Sequence, residues 1–197
     1  MAGILKVDKY QDFNGNDIMT SDGAGNITLS TAMNTAVAAG SNNTPAFHAY
    51  PTGSRQTIGH ATYTKVTMTA ESFDTDNAFA SSRFTVPSGK GGKYFIYWSG
   101  GVFFGSNNGF DLASTIYKNG SQFTDEANAA TYPTGLARHL KSMNGGIFDL
   151  SAGDYLEVYI RQQNNASSNA DVDNASVFGT GATWGATYFG GYKLIGA

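Results

Sequence analysis

The chain contains no cysteine, so it has neither a disulfide framework nor a thiolate metal site, and burial of apolar surface must hold the fold. Charge is also scarce: Asp, Glu, Lys and Arg make up 14% of the 197 residues, and the 12 basic side chains are scattered among 15 acidic ones for a net −3. Without a run of Lys or Arg, the counterion release that drives nucleic-acid binding has no source, and nucleic acid is excluded as an expected partner. No stretch approaches the ~18 apolar residues of a membrane span, so no membrane insertion is expected. The opening "MAGILKVDKYQDF" lacks the roughly 7–15-residue apolar core of a secretory signal. Synthesis in a cytoplasm is therefore expected, with release by lysis of the producing cell.

What the chain does have is glycine, at 25 positions, and aromatics, at 13%. Turn formers and β-favouring rings outweigh helix formers, which points to an all-β chain. In the first thirty or so residues, "ILKVDKY" alternates, "NGN" and "DGAGN" are turn chemistry, and "ITLS" resumes extension. Residues 1–44 thus read as a short strand-and-turn attachment segment with a linker, too poor in large apolar side chains to fold alone. Its candidate attachment residues are Ile4, Leu5, Val7, Ile18, Ile27 and Leu29. The stretch "TAMNTAVAAGSNNT" reads as a tethered linker. The alternative is a turn or two of helix with Met33 and Val37, four residues apart, on one face that meets its copies around a symmetry axis.

From Pro45 onward, short strands end in Gly, Pro, Asn or Asp at close intervals: 46–50, 63–68, 83–86, 93–104, 112–118, 145–150, 154–162 and 188–196. That spacing predicts a sandwich or jelly roll over residues 45–197. In "DYLEVYIRQ", Leu156, Val158 and Ile160 fall on the core face, while Tyr155, Glu157, Tyr159 and Arg161 face solvent or another subunit. "KYFIYWSGGVFF" is aromatic on both faces, which predicts burial on both sides, one in the core and one at a subunit interface. The strand reads as interrupted at Gly100-Gly101. Upstream, Pro87 ends a ladder, and Gly89, Gly91 and Gly92 are expected to supply positive φ at a corner.

In this order the residues carry a resemblance. "AFHAY", "ESFDTDNAF", "RFTVPSGKGGKYFIYWSG", "IYKNGSQF", "GGIFDLSAGDYLEVYI" and "ATYFGGYKLIG" together resemble the C1q/TNF-like jelly roll. The resemblance implies a homotrimer, with Tyr94, Phe95, Tyr97, Tyr155 and Tyr159 as candidate trimer-interface residues. Calcium bound near the apex of some such trimers draws notice to Asp111, Asp125, Glu126, Asp171 and Asp173, but no residue match supports that transfer, and no metal or cofactor is expected. The collagen stalk of vertebrate C1q proteins is missing. Instead, "LKVDKYQDFNGNDIMTSDGAGNITLS" resembles the opening of many tailed-bacteriophage virion proteins, particularly those of marine phages.

Catalytic signals are thin. His48, His60 and His139 show no metal-ligand spacing and read as structural. "DVDNAS" lacks the glycine and the acidic residue of a calcium loop and reads as a polar loop. There is no G-x-S-x-G, no assignable carboxylate pair and no Walker spacing. The chain is therefore expected to be a non-enzymatic protein of the outer surface of a phage virion, a short tail fibre or fibre-tip adhesin. Capsid decoration or a head fibre is the near alternative; a cellular C1q-like binding protein and a saccharide depolymerase are the distant ones. Its partners would be virion proteins through residues 1–44 and a host surface protein or saccharide. Polar loops carrying Asn107, Asn108, Phe110, Tyr132, Phe178 and Trp184 are the candidate partner-binding surface. Trp184 alternatively packs on the core.

Overall fold

The computed structural model describes residues 7–104, 110–130, 139–174 and 187–195. It divides into one unit ending at Asn42 and a second running from Asn43 to Ile195.

The first unit is an antiparallel meander of β1 (Lys9–Gln11), β2 (Asp17–Ser21) and β3 (Ile27–Leu29), followed by α1 (Thr31–Ser41). Both hairpin loops have the pattern Asp-x-x-Gly-Asn, and both close in the same way. Asp12 Oδ1 accepts the backbone N–H groups of Asn14 and Asn16, and its Oδ2 accepts the Asn16 side chain. Asp22 does the same with Ala24 and Asn26. The side-chain bonds from Asn16 and Asn26 lead in holding both carboxyls below the usual carboxylate range. Residues 31–41 are helical rather than a linker. Ser30 Oγ accepts the Met33 N–H at 3.2 Å as an N-cap, and the alanines that follow have the lowest intrinsic cost of helix formation. No side chain from residue 7 to residue 35 is buried.

The second unit continues with β4 (Ala46–Tyr50), β5 (Thr57–Ile58), β6 (Thr64–Lys65), β7 (Ala70–Asp74), β8 (Phe79–Ala80), β9 (Arg83–Thr85) and β10 (Gly92–Phe103). After these come β11 (Phe110–Lys118), β12 (Ser121–Gln122), β13 (Glu126–Ala130), β14 (His139–Leu150), β15 (Tyr155–Asn164), β16 (Ala170–Val172) and β17 (Tyr188–Lys193). The first sheet has the order β5-β16-β10-β17-β4-β7, with β14 also on β10. The second has the order β12-β11-β15-β9-β8, with β13 on β11 and β6 on β15. The strand pairs within both sheets are antiparallel, and the chain crosses repeatedly between the sheets. This is an all-β sandwich of the jelly-roll kind.

The Pro-Gly junction is one of these crossings: β9 lies in the second sheet and β10 in the first. The Lys90 N–H closes a turn on the Pro87 carbonyl at 3.1 Å, and Gly89 and Gly92 take φ values of 73° and 141°. Gly91 is not among the positive-φ residues, so two glycines rather than three make the corner. β10 then runs 12 residues without a break. Gly100 does not interrupt it, because a side chain there would overlap the Trp98 ring, which folds across the space.

Between the sheets, Phe47 stacks on Phe84 at 4.5 Å and on Phe79 at 5.2 Å, with Phe189 edge-on at 5.1 Å. Ile96, Trp98, Val102, Leu112, Ile116, Leu156, Val158 and Ile160 complete the core, each buried. Each such side chain contributes roughly 1.5–3 kcal/mol of transfer free energy. Two of the motif stretches lock together at one end. Asp154 takes Lys118 Nζ at 2.8 Å and Asn119 Nδ2 at 2.7 Å, and the Tyr155 N–H returns to Asn119 Oδ1. Those donors hold the Asp154 carboxyl down at about 2.

Candidate functional site

The outer face of the first sheet is apolar where a soluble surface is usually polar. Register places Ile147, Phe95 and Tyr192 side by side on β14, β10 and β17, and Met143, Ser99 and Tyr188 in a parallel row. Between them, Gly145, Tyr97, Gly190, His48 and Phe73 run across all five strands to β7. Met143 is 64% exposed, Ile147 62%, Phe73 44% and Phe95 36%. Tyr97 lies flat on Gly190, where a Cβ would collide with its ring. Phe95 packs on Tyr97 and Tyr192 at 5.8 and 5.6 Å, and Tyr97 on Tyr188 at 6.0 Å. Charge borders the patch, as in the Lys93–Asp149 pair at 3.5 Å. A contiguous apolar patch rimmed by polar groups marks an interaction surface.

His48 sits in this face, only 5% exposed. Its ring is surrounded by Tyr188 at 5.4 Å, Phe73 at 6.1 Å, Tyr97 at 6.2 Å and Tyr50 at 6.3 Å, with Nδ1 3.2 Å from Ser72 Oγ. Burial pushes its pKa below the ordinary value of 6.5. Below about pH 6.5 the unfolded chain therefore binds a proton that the folded chain resists. Stability is fully present above that pH and is lost as pH falls through the window beneath it. The melting temperature is expected to drop between pH 7.5 and pH 5, and to drop less in His48→Phe. An equal drop in both would remove His48 from the explanation.

The five residues expected at one interface separate. Tyr94 is wholly buried; it belongs to the core, its hydroxyl donating to the Lys90 carbonyl, and burial pushes its pKa up to about 12. Phe95 and Tyr97 are on the outer face just described. Tyr155 and Tyr159 are on β15 of the second sheet and face away on the opposite side of the sandwich, so within one chain they share no surface with Phe95 and Tyr97. There, Tyr159 stacks on Tyr117 at 4.0 Å, and the Arg83 guanidinium lies 3.9 Å above the Tyr155 ring.

Glu157, expected to face solvent or another subunit, is 4% exposed within its own chain. Lys65 Nζ at 2.7 Å and Arg83 Nε at 2.9 Å both reach its Oε1. Burial alone raises this carboxyl, but the two charged donors outweigh it and leave the pKa below the ordinary value.

"DVDNAS" is only partly a loop, since β16 includes Asp171 and Val172. Asp171 accepts Thr57 Oγ1 at 2.8 Å. Asp173 is fully buried, 2.8 Å from His139 Nδ1 and 4.0 Å from Arg55 Nε, while the Arg55 guanidinium covers Phe103. This polar cluster ties together the ends of β10, β14 and β16. Among the described residues no three His, Asp or Glu side chains gather as metal ligands. Asn107, Asn108, Tyr132, Phe178 and Trp184 lie outside the described residues, as do Ile4, Leu5 and the side chains of Phe110 and Glu126. Of the remaining attachment candidates, Val7 and Ile27 are exposed, while Ile18 and Leu29 are half-buried. Phe73, Met143, Ile147, Tyr188 and Tyr192 were missed. Alternation in "GGIFDL" sets Ile147 and Phe148 on opposite faces and was the available signal.

No protein-family model and no curated protein matches the chain. Among solved structures it is similar to the globular domain of zebrafish complement 1qA protein, with 14% identity over 76% of this chain and 97% of that one and a TM-score of 0.45.

Proposed function

We propose that the chain is a non-enzymatic, homotrimeric protein of the outer surface of a tailed bacteriophage, acting as a short tail fibre or fibre-tip adhesin that touches the host. The observation that carries this reading is the opening passage from Leu5 to Ser30, whose wording resembles the start of phage virion proteins and whose described residues, from Val7 on, include no buried side chain. A unit with no buried side chain among its described residues finds its cover in another chain, which suits attachment to a virion. The apolar face around Phe95 and Ile147 supports assembly of the second unit with its own copies. Three copies in one particle turn weak host contacts into a firm one by avidity. Immunogold labelling of intact virions tests the location, and label on tail appendages is the expected result. Label over the capsid lattice would replace the adhesin by a decoration protein; no label on virions would refute the virion reading altogether.

A further inference from the structure

We infer that α1 is a second seam of self-association, in which the Met33–Val37 edge of each copy packs against the same edge of the others around a common axis. The occupant of that face is thus another copy of this chain, and the number of copies rests on the trimer proposed above. Three observations lead there. Met33 and Val37 lie four residues apart on one side of the helix and are 39% and 57% exposed in a single chain. Helices shorter than about 12–15 residues are marginal in water without packing; α1 has 11 residues, with no acidic residue in its first turn and no basic residue in its last. It therefore needs a surface to lie against, and its own exposed edge supplies one.

Charge identifies that surface. From Gly23 to Ser54 the chain carries no Asp, Glu, Lys or Arg, the longest such run in the sequence. A helix facing water, or docked on a partner by complementary charge, carries charged side chains on its outer side. At a symmetry axis each residue meets its own copies, so any charge there meets a like charge and repels it. A segment free of both signs is what a seam between identical copies requires, and a Met and a Val at this spacing form its apolar edge.

The absence of cysteine makes the test clean. Single substitutions Met33→Cys, Val37→Cys and Thr35→Cys are made in the full chain, with Thr35, two residues from either edge position, on the far side of the helix. Each is oxidised mildly while the mass in solution is followed by light scattering. The expected result is a trimeric mass for all three, with disulfide-linked pairs forming at least about tenfold faster at 33 and 37 than at 35. One cysteine per chain links two copies of a trimer and leaves the third single. A trimeric mass with equal rates at the three positions, or with no linked pairs, would overturn the seam and leave the trimer standing. A monomeric mass for the unsubstituted chain would overturn both.

Discussion

Phe95→Glu is expected to turn the proposed trimer into single chains without unfolding them. Phe95 lies on the outer face of the first sheet between Tyr97, Tyr192 and Ile147, so the folded monomer tolerates a carboxylate there as it would at any half-exposed position. In an assembly that covers this face, each copy buries a carboxylate among apolar side chains, since Lys93, two residues away on β10, is already paired with Asp149. An uncompensated buried charge costs several kcal/mol, and each 1.4 kcal/mol is tenfold in affinity, so a loss of at least about 100-fold is expected. The short α1 edge cannot hold the chains together at micromolar concentration once this face is lost. Light scattering should report one chain where the parent reports three, with an unchanged circular dichroism spectrum. A variant that stays trimeric would place the interface elsewhere.

The second large effect concerns Glu157. Its carboxylate is buried on the outer side of β15, where Lys65 and Arg83 arrive from β6 and β9 to pair with Oε1 and the Tyr159 hydroxyl reaches Oε2 at 3.4 Å. Replacing both by Met leaves the charge without a cation, and urea titration should show a loss of about 3–5 kcal/mol. Adding Glu157→Met removes the stranded charge and should recover most of that loss, since an apolar trio of similar volume stands in well for a buried ion cluster. A double variant within about 1 kcal/mol of the parent, or a triple variant no better than the double, would show that the carboxylate is hydrated.

These two residues also mark how far the sequence could be read. Strand periodicity put Glu157 on an outward face and set Phe95 opposite Tyr94, Ile96 and Trp98 without saying which side was core; Phe95 and Glu157 both point away from the core. What alternation does not specify is which sheet a strand joins or what lies over it. Tyr155 and Tyr159 therefore looked equivalent to Phe95 and Tyr97 until β15 and β10 proved to belong to different sheets. Glu157 looked solvated because its cover comes from Lys65 and Arg83, each far away in sequence. Features made by neighbours were legible: the corner at Pro87 and the strand ends near Gly and Pro. Gly100 misled because its need is set by the Trp98 ring folding back over it, a packing demand that turn rules do not express. The linker reading of residues 31–41 weighed Gly and Asn against Ala and overlooked the cap at Ser30. Asp173 appeared to be a solvated loop carboxylate because its partners, His139 on β14 and Arg55 ahead of β5, are far away in sequence.

The central claim is that the apolar face of the first sheet is covered by copies of the same chain, and sedimentation equilibrium of the unaltered protein at micromolar concentration tests it most directly. Three chains per particle, unchanged in 1 M salt because apolar contact rather than charge holds them, is the predicted result. A stable single chain, with Phe95 and Ile147 left in water, would contradict it.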